Sequence, residues 1–167
     1  APLRLGAGGL WLTGRRPTRA RAPAEIRVLR PAEDGDLRAL RRALAEVQRR
    51  CAAALGVAVP EVSAEAAPWL PRGALEVRYG ERTLAAREGV AAGEDAAVVE
   101  VFRVLMASGE LFFDLHALEE AMERLRSERP AIVREALRVL GLPEVLALCH
   151  GLLRERIPLP PLDALLG

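Results

Sequence analysis

One long amphipathic stripe constrains the fold of this chain more than any other feature. Apolar residues recur every three or four positions from Leu37 to Leu55, and arginine and glutamate fill most positions between them. This spacing is that of an α-helix with one buried face. Asp34 or Asp36 is a candidate N-cap, because an Asp side chain accepts hydrogen bonds from the free N–H groups of the first turn. Gly56 is the expected C-terminal stop, so the sequence predicts a helix that needs an apolar partner surface.

Short strand signals lie on both sides of this stripe. Ile26–Arg30 and Leu75–Tyr79 have the composition and alternation of strands, and a Gly80-Glu81 turn predicts that residues 83–86 return as a hairpin partner. Residues 57–62 also read as a strand, in which Pro60 favours an edge position because proline has no N–H to donate. Residues 3–12 add a strand or hairpin signal interrupted by glycines.

From about residue 91 onward the apolar spacing is helical. Helices are expected from about Glu94, after Asp114 as a cap, from Pro130 and from Pro143, with a last short turn near Leu162. The predicted fold class is therefore α+β. A small α/β lobe over residues 1–90, made of strands and one long amphipathic helix, is followed by a compact helical lobe over residues 91–167.

Composition limits the classes of function. The chain has 167 residues, is 51% hydrophobic and carries a net charge of +1, which suits a globular fold and argues against a dedicated nucleic-acid binder. No run reaches the roughly 18 apolar residues of a membrane span, and two distant cysteines indicate reduced thiols in a cytosolic protein. All 24 basic residues are arginine, which a GC-rich coding bias explains.

Two clusters invite a catalytic or metal-binding interpretation. Cys149 and His150 are adjacent, but neighbours on a helix point about 100° apart, and Cys149 falls on an apolar stripe. His116, Glu119 and Glu120 could share a helix face as a partial metal site, although a solvated helix face predicts the same residues. We therefore expect no catalytic residue, no cofactor and no metal ion, and keep a small hydrolase using Cys149 or His116 as an alternative.

The N-terminal region offers two further patterns. The glycines at positions 6, 8 and 9 lack the following helix that a phosphate-binding loop needs, so a bend is the better interpretation. The arginines at positions 15, 16, 19 and 21, together with Arg27 and Arg30, form either a plain surface loop or a phosphate-binding arm. Trp69, between two prolines, is either a cover for the core or an exposed anchor for a partner.

The C-terminal segment Arg154-Glu155-Arg156-Ile157-Pro158-Leu159, which follows a leucine-rich helix, resembles a signature of the type III secretion export-gate (FHIPEP-type) family. This family includes the large integral-membrane component of flagellar and injectisome export machines. The order of the upstream strands and helices also follows the family pattern. Two departures are the Pro160-Pro161 pair and the shorter length, which lacks an inserted subdomain, a final α/β subdomain and the membrane domain. We expect either a trimmed fragment or a reduced relative.

The resemblance implies a non-enzymatic protein-interaction module that assembles with itself, as a ring or a lower oligomer, and contributes to protein export. It implies export-machine proteins, secreted cargo or chaperones as partners, no small-molecule substrate, and a cytoplasmic location at the inner face of the inner membrane. Candidate interface residues are Arg38, Arg41, Arg42, Glu46, Trp69, Arg154, Glu155 and Arg156. The alternative is a nucleic-acid-binding protein that uses the arginine-rich arm and a C-terminal helix-turn-helix.

Overall fold

A four-stranded mixed sheet and the helix that crosses it make up the first half of the fold in the computed structural model, which describes residues 24–167. The elements are β1 (Ile26–Arg30), α1 (Leu37–Leu55), β2 (Val62–Ala66), β3 (Leu75–Tyr79) and β4 (Arg82–Arg87). The strand order is β2-β1-β3-β4, with β1 parallel to β2 and the other pairs antiparallel. The patterns noted at residues 3–12 and 13–21 lie outside the described residues.

The predicted amphipathic helix is confirmed as α1. Asp36 is its N-cap and accepts a 2.8 Å hydrogen bond from the Arg38 N–H. Gly56 follows its last residue with φ 68°, and the Gly56 N–H bonds the Ala52 carbonyl. This left-handed conformation carries a steric cost for residues with a Cβ, which explains why the helix ends at a glycine.

The strand predicted over residues 57–62 is wrong in position, because β2 begins at Val62. Val57 and Val59 are each 7% exposed and belong to the core, yet they do not join the sheet. The Val59 carbonyl instead accepts a 2.9 Å hydrogen bond from Gln48 Nε2 on α1. Pro60 has no N–H for a ladder, so the valine pattern marks buried coil. The strand that follows is an edge strand.

Six helices make up the rest of the described chain. They are α2 (Glu94–Ala107), α3 (Gly109–Phe112), α4 (Leu115–Glu128), α5 (Pro130–Val139), α6 (Leu142–Arg154) and α7 (Leu162–Leu166). Asp114 caps α4 as predicted, accepting a 2.9 Å hydrogen bond from the Ala117 N–H. Leu140 continues the apolar spacing of α5, yet it is 39% exposed, because α5 ends before it and its backbone is extended.

A continuous apolar core joins the sheet to the helices. Its fully buried side chains include Ile26 and Val28 of β1, Leu44 of α1, Leu105 of α2 and Leu118 of α4. Buried residues thus continue across the boundary predicted near residue 91, and the division into lobes at that point stays a prediction.

Helices α1 and α2 pack side by side and run in the same direction. Gly35 and Gly93, which precede the two helices, come together at one end, and Leu55 contacts Gly109 at the other. Among the helices of residues 24–167, none is by itself long and apolar enough to cross a bilayer. Only α5 and α6 taken together reach that length and composition, and they are bent by 95° at their junction.

Candidate interaction surface

The suspected catalytic pair does not form a reactive site. Cys149 is fully buried in the core, and His150 Nε2 lies 2.7 Å from the Phe113 carbonyl oxygen, a hydrogen bond that joins α6 to the end of α3. His116 is mostly exposed, and its Nε2 lies 3.4 Å from a Glu120 carboxylate oxygen. No group of three or more metal-binding side chains occurs within residues 24–167.

Both thiols are expected to be unreactive in the folded protein. Burial raises the pKa of the Cys51 thiol to about 11 and also raises that of Cys149. Because the thiolate is the nucleophile, iodoacetamide at pH 8 should alkylate Cys51 of the native protein at least about 100-fold more slowly than Cys51 of the urea-unfolded chain. Mass spectrometry over time measures both rates, and similar rates would contradict the buried placement.

The exposed face of α1 carries four of the candidate interface residues, and these differ in availability. Arg41 Nε donates a 3.0 Å hydrogen bond to the Ala64 carbonyl, which attaches α1 to β2. Glu46 pairs with Arg49 and Arg50 on its own helix, and their hydrogen bonds lower its pKa. Arg38 and Arg42 are both exposed and make no ion pair within the described part of the chain.

Trp69 is held outward on a short, well-anchored loop between β2 and β3. Its side chain is 65% exposed, so the interpretation as a cover for the core is wrong. Backbone hydrogen bonds of 3.0 Å run from the Leu70 N–H to the Ala67 carbonyl and from the Ala74 N–H to the Pro71 carbonyl. An aromatic side chain on a fixed turn loses little conformational entropy when a partner covers it.

A buried ion pair fixes the loops at this end of the sheet. Arg30 and Asp34 are 3% and 5% exposed, with Arg30 Nη2 3.7 Å from Asp34 Oδ2. Arg30 also donates to the Gly93 and Ala91 carbonyls at 2.9 and 3.1 Å. Asp34 Oδ2 accepts a 2.8 Å hydrogen bond from the Gly73 N–H. One buried pair therefore connects β1, the Trp69 loop and the segment before α2.

This geometry contradicts part of the predicted phosphate-binding arm. Arg30 is enclosed, with burial lowering its pKa, and its guanidinium is used within the fold. Arg27 lies 3.9 Å from Glu65 across the sheet. The other arginines of the arm precede the described residues, so the two arm positions that are described do not form a free basic surface.

The C-terminal signature ends α6 and packs on α1. The Arg156 N–H bonds the Leu153 carbonyl and the Ile157 N–H bonds the Leu152 carbonyl, which is a Schellman arrangement with Arg156 at the left-handed position, φ 58°. Arg154 pairs with Glu110 at 3.0 Å. The Leu159 N–H then donates a 2.8 Å hydrogen bond to the Leu55 carbonyl at the end of α1.

The candidate residues form two separate groups. Arg38 and Trp69 lie toward the end of the fold where α1 begins, because Asp34 bonds the Trp69 loop just before that helix. Arg154, Glu155 and Arg156 lie near the end where α1 stops. The 19 residues of α1 span about 28 Å at about 1.5 Å per residue, so one small contact cannot cover both groups.

A cleft between β4 and α2, named here the β4–α2 cleft, contains one candidate residue and several that sequence reasoning missed. It has a volume of about 890 Å³. Its charged lining residues are Arg87, Glu88, Glu100, Arg103 and Arg156. Glu100 lies 3.6 Å from Arg87 and 3.0 Å from Arg103, and the apolar wall includes Val99, which is 48% exposed. The sequence signals for this cleft were Val99, an apolar residue beside the buried stripe of α2, and Arg156 in the C-terminal segment that carries the resemblance.

Comparisons with known proteins match the chain by structure alone. No protein-family model and no curated protein matches its sequence. The nonameric SctV-C of EPEC matches with a TM-score of 0.69 and 9% identity, covering 86% of this chain and 58% of that one. CdsV of Chlamydia pneumoniae, which is also solved in a complex with CdsO, matches with a TM-score of 0.68 and 12% sequence identity. The match covers 90% of this chain and 60% of CdsV. The nonameric EscV cytosolic domain from the type III secretion system matches with a TM-score of 0.67 and 9% sequence identity. The match covers 87% of this chain and 57% of the EscV domain.

At these identities the likeness shows the fold, and this chain spans between 55% and 63% of the length of the matched chains. The same elements in the same order that suggested the export-gate resemblance are present between β1 and α7. The described part of the chain therefore has the fold of the cytoplasmic domains of type III secretion export-gate proteins.

Proposed function

We propose that this protein is a non-enzymatic interaction module that associates with itself and contributes to protein export. The fold carries the proposal, since matched structures include the nonameric SctV-C and EscV domains. Both thiols are buried, so neither Cys51 nor Cys149 is exposed to act as a nucleophile.

The candidate interface residues supply the contacts in this proposal. Arg38 and Arg42 have no ion-pair partner among the described residues, so carboxylates of a neighbouring copy can pair with them without breaking an internal contact. Trp69 provides an apolar anchor of the kind that dominates interface energies. The group Arg154, Glu155 and Arg156 lies at the opposite end of α1, as a head-to-tail ring contact requires.

Further partners follow from the export role. CdsV has been solved in a complex with CdsO, which supports an export-machine protein as a partner here. Secreted cargo and its chaperones are the remaining candidates, and we place the module at the cytoplasmic face of the inner membrane.

The nucleic-acid alternative receives no support from the described residues. Arg27 and Arg30 are engaged within the fold. A helix-turn-helix needs a second helix long enough to lie in the major groove after a turn of about 3–4 residues. Here α6 is followed by a turn at residues 155–156, by residues 157–161 without regular secondary structure, and by α7, which has only 5 residues.

Self-association is tested by light scattering coupled to gel filtration. The purified chain should give ring-sized species, or a mass that rises with concentration, at low salt. Arg38→Glu/Arg42→Glu should shift the mass toward the monomer by at least about tenfold in dissociation constant, because opposed charges at an interface change affinity strongly. Arg124→Glu, an exposed arginine on α4, is the matched control. A monomer at every concentration would refute self-association.

A further inference from the structure

Strand β4 has an unpaired edge that borders the β4–α2 cleft. It is the last strand of the sheet and pairs only with β3. Within the described residues its N–H and C=O groups make no backbone hydrogen bond other than those to β3. Leu84, Ala85 and Arg87 of this strand also line the cleft. An unpaired edge beside an open groove is the arrangement that accepts an added strand.

The opposite wall of the cleft supplies side-chain contacts. Ala96, Val99 and Val104 of α2 line it, and the exposed Val99 offers apolar surface to a bound chain. The lining of α2 runs from Ala96 to Ala107, about 17 Å at about 1.5 Å per residue. An extended chain at about 3.3 Å per residue therefore places about five residues along it.

The charges of the cleft favour an acidic occupant. The lining contains three arginines and two glutamates. One of the glutamates, Glu100, is already paired with Arg87 and Arg103. Arg156 makes no ion pair within residues 24–167, and its backbone is held at φ 58° by the Schellman end of α6. A carboxylate at this end of the cleft would give the exposed Arg156 guanidinium an ion-pair partner.

The chain's own first 23 residues do not provide this complement. They contain five arginines and neither aspartate nor glutamate, so their charge has the same sign as the unpaired Arg156. These residues therefore do not supply an acidic partner for Arg156, and we assign the occupant to another protein.

We propose that the free edge of β4 binds an extended acidic segment of another protein, which adds to the sheet as a fifth strand and pairs its carboxylate with Arg156. Backbone hydrogen bonds to β4 would give affinity, and alternate side chains would lie on Val99 or at the arginines. Arg156 is also one of the candidate residues for self-association, but peptide binding needs only one copy of the chain and is measured separately from the oligomeric mass.

The test uses two labelled peptides and the full-length chain. Each has a core of about six residues that alternates valine with glutamate in one peptide and with lysine in the other, between soluble Gly-Ser ends. Fluorescence anisotropy should show binding of the glutamate peptide and at least about tenfold weaker binding of the lysine peptide. Hydrogen exchange should show new protection of β4 amides on binding. Equal binding of the two peptides, or binding without β4 protection, would overturn the proposal.

Two variants at one position separate recognition from folding. Arg156→Glu should weaken binding of the glutamate peptide by about tenfold or more, whereas Arg124→Glu, the matched charge reversal on α4, should leave it unchanged. Arg156→Gly removes the same guanidinium but suits a left-handed backbone, so it should raise the melting temperature while still weakening peptide binding. Unchanged affinity in both Arg156 variants would refute the assigned role.

Discussion

Replacing Asp34 by alanine should lower the free energy of unfolding by about 3–5 kcal/mol, as expected when one partner of a buried ion pair is removed. The change leaves Arg30, which is 3% exposed, without its counter-charge. It also removes the acceptor of the Gly73 N–H, which bonds Asp34 Oδ2 at 2.8 Å. Urea unfolding followed by circular dichroism measures the change. Loss of the Trp69 loop anchor should also alter tryptophan fluorescence at urea concentrations below the main transition.

The matched control is Glu65→Ala, which removes the carboxylate beside Arg27. That pair is partly exposed, with 3.9 Å between Arg27 Nη1 and Glu65 Oε2, and such pairs contribute about 0–1 kcal/mol. The double variant Arg30→Met/Asp34→Leu should recover part of the loss, because it leaves no unpaired buried charge. Equal effects of Asp34→Ala and Glu65→Ala would contradict the buried role of Arg30 and Asp34.

The helices could be predicted from the sequence because their signals are local. The stripe of α1, its Asp36 cap and its Gly56 stop all lie within a few turns, and each acts through its own neighbours. The error at residues 57–62 has a different cause. Val57 and Val59 are buried by contact with the core, and a strand needs a partner ladder as well as an apolar pattern. Which segment pairs with β1 depends on the whole sheet.

The buried ion pair and the free surface arginines were harder to predict, because arginines that look alike in the sequence are either buried within the fold or exposed on its surface. Arg27 and Arg30 lie in one short strand of a protein whose basic residues are all arginine. Their alternation held a usable signal, since Arg30 shares a face with the buried Ile26 and Val28 while Arg27 faces the other way. The carbonyl acceptors at Ala91 and Gly93 are more than 60 positions away in the chain, so no local pattern could reveal them.

The β4–α2 cleft likewise depends on distant segments. It brings a hairpin edge, the middle of α2 and Arg156 together. The resemblance at residues 154–159 marked Arg156 as a candidate interface residue. Only the fold shows that the Schellman end of α6 fixes its backbone beside the cleft. Glycine is the residue that a left-handed C-terminal position favours, so the φ of 58° carries a steric cost for Arg156.

Replacing Gly56 by alanine should be the second most damaging change, lowering the free energy of unfolding by about 2–4 kcal/mol. The φ of 68° already costs a residue with a Cβ about 1–2 kcal/mol. The added Cβ would also lie only 2.3 Å from the Leu159 carbonyl oxygen. That oxygen belongs to backbone, so the segment must move, and the 2.8 Å hydrogen bond from the Leu159 N–H to the Leu55 carbonyl would be strained or lost.

Gly151→Ala is the matched control for this prediction. Gly151 lies inside α6 and nothing is within 4 Å of its added Cβ, so alanine should stabilise the helix by about 0.5–1 kcal/mol. Urea unfolding of both variants gives the comparison, and hydrogen exchange locates the damage. In Gly56→Ala the Leu159 amide should lose protection first. If that amide stays protected and both variants are equally stable, the signature segment does not pack on the end of α1 as the structure has it, and the position of Arg156 beside the cleft loses its anchor.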